Sequence, residues 1–435
     1  NIKTINKGGA LMKRVKFISL TICLALLVGM LAGCSNTDGN KDNKEGSAEE
    51  KKVTITYWQH SSQARDDMMK TLAYEFMQEN QDITIKMEFI PEADYSTKLI
   101  SSLATDAAPD VFQVQSGMIP RLVKAGSIQP LDGEILSTDN IANDFVPASV
   151  DALQVDGKYY GLPTDLQTIV LYWNKDLAKE ANLDAEKGPQ TWDELLDWAK
   201  KLTKFENGKM VQSGWGEKGY APEVEAFIAQ NGGKMVDDSG KFVFADDPKS
   251  VEAIKFVVDA YKNDKVYDVE FMKNWAGFRQ GKVAIMLGHP AMLGNLKQTA
   301  PNVNLGIGLI PAKEDKHTTA VTSWAYAISK KAESKAATKW IEYLTSPEVE
   351  KRWTEQTGEL PARKELLNDE ELVKDGQLKI LLSSLNDSVV GNLQLASTYK
   401  IWSDGYQKLI LTDDPFEDTL KKIQDELNAE ISKDL

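Results

Sequence analysis

The polar and apolar positions are most orderly between residues 53 and 115. Val53-Thr54-Ile55-Thr56-Tyr57-Trp58 is a short β-rich run. After it, Met68, Met69, Leu72, Phe76 and Met77 recur at helical spacing, with Asp66 and Asp67 placed where a helix N-terminus favours negative charge. Ile83-Thr84-Ile85-Lys86-Met87-Glu88-Phe89 alternates apolar and polar, which predicts a half-exposed strand. Tyr95, Leu99 and Leu103 mark a second helix, and Pro109-Asp110 introduces the apolar run Val111-Phe112-Gln113-Val114. Strand, helix, strand, helix, strand at these spacings predicts parallel strands joined by right-handed crossovers. In such sheets ligands sit beyond the carboxyl ends of the strands. Here those ends are Trp58-Gln59-His60-Ser61-Ser62 and Gln115-Ser116.

Further along, Thr168 to Trp173 reads as a buried strand. Thr191-Trp192-Asp193-Glu194 is a capping box for a helix burying Leu195, Trp198 and Leu202. Asp247-Pro248 starts another helix, with Val251, Ile254, Val258 and Tyr261 on one face. Val283 to Leu287 is a strand ending at Gly288-His289-Pro290. The short, glycine-flanked Gly306 to Pro311 is expected to cross between two lobes. Thr322 to Ile328 is a further strand, Ser346-Pro347 caps a late helix, and Leu420, Ile423, Leu427 and Ile431 mark a terminal one. No solenoid-type repeat is visible.

The N-terminal stretch has a different character. Lys13, Arg14 and Lys16 precede the apolar run Phe17 to Val28, which leads to Leu31-Ala32-Gly33-Cys34. A basic segment, an apolar segment and small residues together read as a secretory signal. The run is too short and too broken by glycine for a membrane span. Leu-Ala-Gly-Cys resembles the lipobox of bacterial lipoproteins, which implies that Cys34 is acylated and becomes the new N-terminus. Lys7-Gly8-Gly9 reads as a translated ribosome-binding site, with Met12 as the start. Residues 1–33 are thus expected to be upstream residues and signal, and 34–52 a lipid-anchored tether. Residues 35–52 carry one apolar side chain, Ala48, and cannot form a core. As random coil they span roughly 20–25 Å.

Composition narrows the function. A chain of 435 residues exceeds what one core usually supports, so two lobes are expected. With 65 acidic against 51 basic residues, the net charge is −14, which argues against a nucleic-acid partner. The two cysteines, Cys23 and Cys34, fall in the signal and at the lipid site, leaving the folded part without a thiol. Disulfides, zinc–thiolate sites and cysteine nucleophiles are thereby excluded there. Three histidines (His60, His289 and His317) offer no His-rich metal cluster. There is no nucleophile elbow, zinc helix or P-loop. Neither cofactor, metal nor catalytic residue is expected.

Several blocks in order resemble the family 1 extracellular solute-binding proteins of bacterial ABC importers, the group that includes maltose-binding protein. They are Ala108 to Phe112, Gly126 to Asp132, Asp156 to Pro163, Leu171 to Leu177, Thr191 to Leu195, Phe278 to Met286 and Trp324 to Pro361. The similarity runs from about Val53 to the C-terminus. It implies an α/β, two-lobed periplasmic-binding-protein-like fold (type II), with a ligand cleft between lobes. By analogy the N-terminal lobe takes 53–163 and 312–345, and the C-terminal lobe takes 164–311 and 346–435. It also implies a monomer that captures a sugar or oligosaccharide by lobe closure. Delivery is to ABC permease subunits driven by a cytoplasmic ATPase, from the outer face of the cell membrane.

Sugar sites pair aromatic planes with amides, carboxylates and hydroxyls. Among ten tryptophans, Trp192, Trp198, Trp340 and Trp353 sit at core spacing on helices, Trp173 lies in an apolar strand, and Trp275 is ambiguous. Trp58, Trp215, Trp324 and Trp402 lie at strand ends or in loops, where stacking on ligand is expected. Gln115 and Ser116 close a strand, and His60 either bonds a hydroxyl or is a solvated loop residue. The resemblance adds Asp165 and Gln167, where relatives place a ligand-facing carboxylate or amide, Gln167 aligning better. It offers Tyr399 or Trp402 as an aromatic platform, and His289 in place of a tryptophan-containing ending. Glu217 is a weaker candidate. Three alternatives remain open: the same fold holding a polyamine, phosphate ester or metal, with Arg65 and Arg279 the cationic candidates, a secreted glycan-acting enzyme, and a sensory binding protein feeding a receptor kinase.

Overall fold

The computed structural model describes residues 52–432 apart from 217, 218, 238, 269, 273 and 394. Residues 1–51, which hold the expected signal, Cys34 and all but the last residue of the expected tether, therefore lie outside the described residues, as does Glu217. The strands are β1 (Val53–His60), β2 (Ile83–Ile90), β3 (Val111–Gln115), β4 (Ile128–Gln129), β5 (Gly161–Gln167) and β6 (Val170–Asn174). They continue with β7 (Lys204–Glu206), β8 (Lys209–Trp215), β9 (Val283–Gly288), β10 (Leu305–Leu309), β11 (Thr319–Ser329) and β12 (Ser388–Val390).

Two sheets organise the chain. The first has the order β12-β11-β3-β1-β2, with β4 and β5 also on β11. As expected from the strand–helix alternation, β1 is parallel to β2, from Val53↔Ile83 to His60↔Ile90, and parallel to β3. β11 then runs antiparallel to β3 and β5, opposing Trp324 to Gln115 and to Asp165. The second sheet has the order β10-β6-β9-β8-β7, with β8 and β9 parallel. β6 is buried along its whole length, and alternation divides it. Val170 and Tyr172 join one hydrophobic cluster, Leu171 and Trp173 the other.

The helices start where the sequence places caps. In the helix Gln63–Glu79 the capping carboxylate is Asp66, which accepts from Ser62 N at 3.3 Å and Ser61 Oγ at 2.5 Å. Asp67 faces solvent. Thr191 Oγ1 accepts from Glu194 N at 3.2 Å, while the Glu194 carboxylate reaches back to Gln190 N at 2.7 Å. The helix that follows, Trp192–Leu202, buries Leu195, Trp198 and Leu202 against the second sheet's core. Each such side chain contributes about 1.5–3 kcal/mol.

Two expectations about the chain path are corrected. Gly306 to Leu309 does not cross between lobes but forms part of β10, an edge strand paired with β6. Its glycine has a packing reason, since a Cβ on Gly306 would lie 2.0 Å from the Trp173 ring. Nor does everything after 346 stay with the second sheet. The helix Pro347–Thr357 returns to the helix Gln63–Glu79, where Arg352 pairs with Glu75 at 2.8 Å and Trp353 joins the first core. Leu360 then bridges to Leu166 of β5. The helices Ala396–Leu411 and Phe416–Ile431 do pack into the second core, through Trp402, Tyr406, Leu420 and Leu427.

Candidate functional site

A cavity of about 640 Å³ opens at the strand ends. From the first sheet it is lined by His60 at the end of β1, Gln115 at the end of β3, Gln167 at the end of β5, and Thr322, Ser323 and Trp324 of β11. From the second come Leu287 and Gly288 of β9, with His289 just beyond. Tyr220, Pro222 and Glu223 at the start of the helix Ala221–Gln230 complete that side, with Trp275, Arg279, Asn295 and Tyr399.

The first side is built on buried polar pairs. Arg65, one helical turn into Gln63–Glu79, reaches Glu359 through Nε at 2.6 Å and through Nη2, and reaches His60 Nε2 through Nη1. Glu359 also accepts from Trp353 Nε1 at 2.6 Å. The turn that delivers it has Gly358 at φ 76°, in the left-handed region, ending the helix Pro347–Thr357. The His60 ring lies 4.3 Å from the Trp324 ring at an interplanar angle of 31°. Burial, and after it the Arg65 charge, holds the His60 pKa well below its usual value, so the ring is neutral.

β5 bulges at Thr164, the extra residue between its pairings of Asp165 with Trp324 and of Pro163 with Ala325 of β11. Such bulges re-aim side chains at sheet ends.

The second side is assembled from helix starts and connections. His289 Nδ1 meets the Thr168 carbonyl at 3.2 Å, which fixes Nδ1 as the donor. In the neutral ring Nε2 then accepts from the Tyr220 hydroxyl at 2.8 Å. Tyr220 stands edge-on to His289 at 5.2 Å and 6.0 Å from the Tyr399 ring. Arg279 Nη1 donates to Asn295 Oδ1 at 3.2 Å.

Of the sequence candidates, the cavity brings together His60, Gln115, Gln167, His289, Trp324 and Tyr399. Five others do not line it. Trp58 lies two residues, about 7 Å, back from the end of β1, with Lys98 Nζ 4.7 Å from its ring. Ser116 is buried, bonding Ser323 Oγ at 2.7 Å, so it supports a lining residue instead. Asp165 lies one side-chain repeat deeper than Gln167, where Thr164 Oγ1 donates to it at 2.7 Å. Burial, and after it Glu359, raises its pKa. Trp215 and Trp402 are core residues of the second cluster, and Trp402 Nε1 donates to Gly219 O at 2.9 Å. The pair Tyr399 or Trp402 is thus divided, one at the cavity and one in the core. His60 is neither a solvated loop residue nor turned to the cavity through Nε2, which Arg65 occupies.

Sequence reading passed over Tyr220, Glu223, Asn295 and Glu92, and left Trp275 undecided. The strand-end rule applied to β8 and β9, which are parallel, points to the residues after Trp215 and after Gly288. That recovers Tyr220 and Glu223, but not the contributions of helices distant in sequence. Among the described residues no group of three or more His, Cys, Asp or Glu side chains is placed to hold a metal ion.

Residues 71–380 match the family model described as bacterial extracellular solute-binding protein. The chain belongs to this family. Among its relatives is the maltotriose-binding protein of Pyrococcus abyssi, 25% identical over 74% of this chain and 69% of that protein. The sn-glycerol-3-phosphate-binding periplasmic protein UgpB of Escherichia coli is 27% identical over 72% of this chain and 75% of that protein. Among solved structures, the Listeria monocytogenes ABC substrate-binding protein Lmo0181, in complex with cycloalternan, superposes with a TM-score of 0.77. It shares 22% identity and covers 88% of this chain and 99% of that one, a likeness of fold. The solute-binding protein is therefore a mixed α/β, two-lobed molecule of the fold that carries a ligand cleft between its lobes. Members of the family are binding proteins of the extracellular or periplasmic space. No helix among the described residues is long and apolar enough to cross a membrane.

Proposed function

We propose that this solute-binding protein captures a sugar or oligosaccharide in the cavity and presents it, unaltered, to an ABC permease with its cytoplasmic ATPase. The observation that carries the reading is the composition of the lining. Trp324 from one side and Trp275, Tyr220 and Tyr399 from the other offer aromatic planes, with Gln115, Gln167, Asn295, Thr322 and Ser323 as hydroxyl partners. Glu359 offsets Arg65, which leaves Arg279 against Glu92 and Glu223, a balance that suits an uncharged polyol better than an anion. The lobes of this proposal are the two sheets with their helices, joined at 168–169, at 310–318 and after β12. A ligand touching both sides favours the closed arrangement and shifts the population toward it. The same proposal includes a monomer held at the cell surface by a lipid on Cys34, which mass spectrometry of the mature N-terminus tests directly.

A thermal-shift screen over mono- and oligosaccharides tests the ligand class, because a ligand at a hundredfold excess over Kd stabilises the native state by about 2.7 kcal/mol. The expected result is stabilisation by a sugar, recovered intact afterwards. A phosphate ester is the second reading, favoured by the likeness to UgpB and by Arg279 on the lining. Stabilisation by sn-glycerol 3-phosphate and by no sugar would replace the first reading with the second. A cleaved oligosaccharide would overturn capture without chemistry.

A further inference from the structure

We propose that Arg65 is a positioning residue, acting through His60 to fix the plane of Trp324 on the first sheet's side of the cavity. Its value to ligand capture rests on the sugar reading above, whereas the Arg65–His60–Trp324 linkage itself does not.

The chemistry of the pair decides the direction. A guanidinium carries only donors, so His60 Nε2, which faces Arg65 Nη1, must be the acceptor, and the ring proton resides on Nδ1. A proton on Nε2 would remove that bond and set two cations against each other in a site where His60 and Arg65 are each 6% exposed. The other charged and titratable groups around the pair come from five elements, two of them being β1 and β11, whose Tyr57 and Tyr326 feel the Arg65 charge. Glu359 follows the helix Pro347–Thr357 and holds Arg65 from behind. Asp165 of β5 and Glu92 of the helix Glu92–Leu103 act on Arg65 through charge. Tyr95 of that same helix lies with its ring 5.9 Å from His60, and its hydroxyl donates to Gln113 O of β3 at 2.5 Å.

The imidazole thus has its Nε2 edge tied to Arg65, which leaves its face for the indole, 4.3 Å away. Trp324 is only partly buried, and the strand paired with it, β5, bulges at Thr164, so the sheet alone leaves its ring plane open. The neutral, orientation-locked imidazole supplies the missing constraint. Glu359 holds Arg65 and Arg65 holds His60, so residues 294 apart in sequence set one aromatic surface.

Nitrogen-15 NMR of histidine-labelled protein tests this on the unliganded molecule, since only three histidines contribute. The expected spectrum shows His60 as a single tautomer protonated on Nδ1, with no titration between about pH 8 and about pH 5.5. Ordinary titration in that range in the wild-type protein would overturn the proposal, without any variant being needed. In the double variant Arg65→Met with Glu359→Gln, which removes both charges together, His60 should lose its single Nδ1-protonated tautomer and the Trp324 indole N–H resonance should shift with it. Arg65→Lys, which keeps the charge but loses the two-sided fork, should show mixed tautomers. A His60 signal or a Trp324 indole signal unchanged in either variant would overturn it. For a sugar that binds, the double variant should hold it about tenfold more weakly than the wild type. Equal affinity in both proteins would overturn it. A failure of every sugar to bind, with the NMR result as expected, would remove the sugar reading and leave the linkage standing.

Discussion

The two sides of the cavity are made by different means. On the first side, Trp324 and Gln115 face each other in strand register, and Arg65, Glu359 and His60 are buried and mutually paired. On the second, Tyr220, Trp275 and Tyr399 ride on helix starts and connections, and His289 is placed through the Thr168 carbonyl and the Tyr220 hydroxyl. Strand register and a buried ion pair predict a rigid first side, and the helix starts and connections predict a more adaptable second side. A binding protein that closes around its solute benefits from one of each, a fixed plane to read against and a surface that adapts.

The largest expected effect breaks the rigid side. Glu359→Ala leaves the Arg65 charge buried without its carboxylate, and removal of one partner of such a pair costs about 3–5 kcal/mol of stability. Urea unfolding measures this, and a loss below about 1 kcal/mol would deny the pair its role. Next come the two tryptophans, each partly buried against the same core. Trp324→Ala and Trp275→Ala should each lower sugar affinity by about 2 kcal/mol by calorimetry, and full affinity in either variant would remove that side from the site.

pH gives a third effect, to which groups contribute with opposite signs. Burial pushes Glu225, on the helix Ala221–Gln230, and Glu350, on the helix Pro347–Thr357, up to about 8 from an ordinary 4.5, although backbone N–H groups pull them the other way. Between those values the folded chain holds protons that the unfolded chain has released. Stability therefore falls as pH rises toward about 8. His60 works in reverse. Its lowered pKa means that the folded chain binds fewer protons below 6.5, so stability is lost as pH falls through that region. Unfolding free energies from about pH 5 to about pH 9 should fall on the alkaline side, and Glu225→Gln with Glu350→Gln should flatten that limb. The smallest effect tunes the adaptable side. Tyr220→Phe removes one hydrogen bond to His289 and should cost about 1 kcal/mol of affinity by calorimetry, with little change in stability.

These contrasts also explain what the sequence made legible. Alternation and helical spacing located β1, β2, β3 and their helices, and the strand-end rule then placed His60 and Gln115 at the cavity before any coordinates. The rule works there because the ligand-facing residues are contiguous with the strand that positions them. Trp215 and Trp402 misled because a tryptophan beside a glycine or in a polar stretch looks exposed, whereas the second core closes over both. Asp165 and Gln167 share a strand face, and depth along that strand, which periodicity does not report, separates them. Arg65 escaped a clear role because its partner Glu359 is 294 residues away. Gly306 looked like a crossing because glycine marks turns, but here it makes room for the Trp173 ring.

A diffraction structure of the protein with the sugar that stabilises it tests the central claim most directly. The account predicts a sugar ring inside the cavity, in contact with Trp324 on the first side and with Trp275 on the second. A ligand bound outside the cavity, or touching residues of one sheet alone, would contradict it.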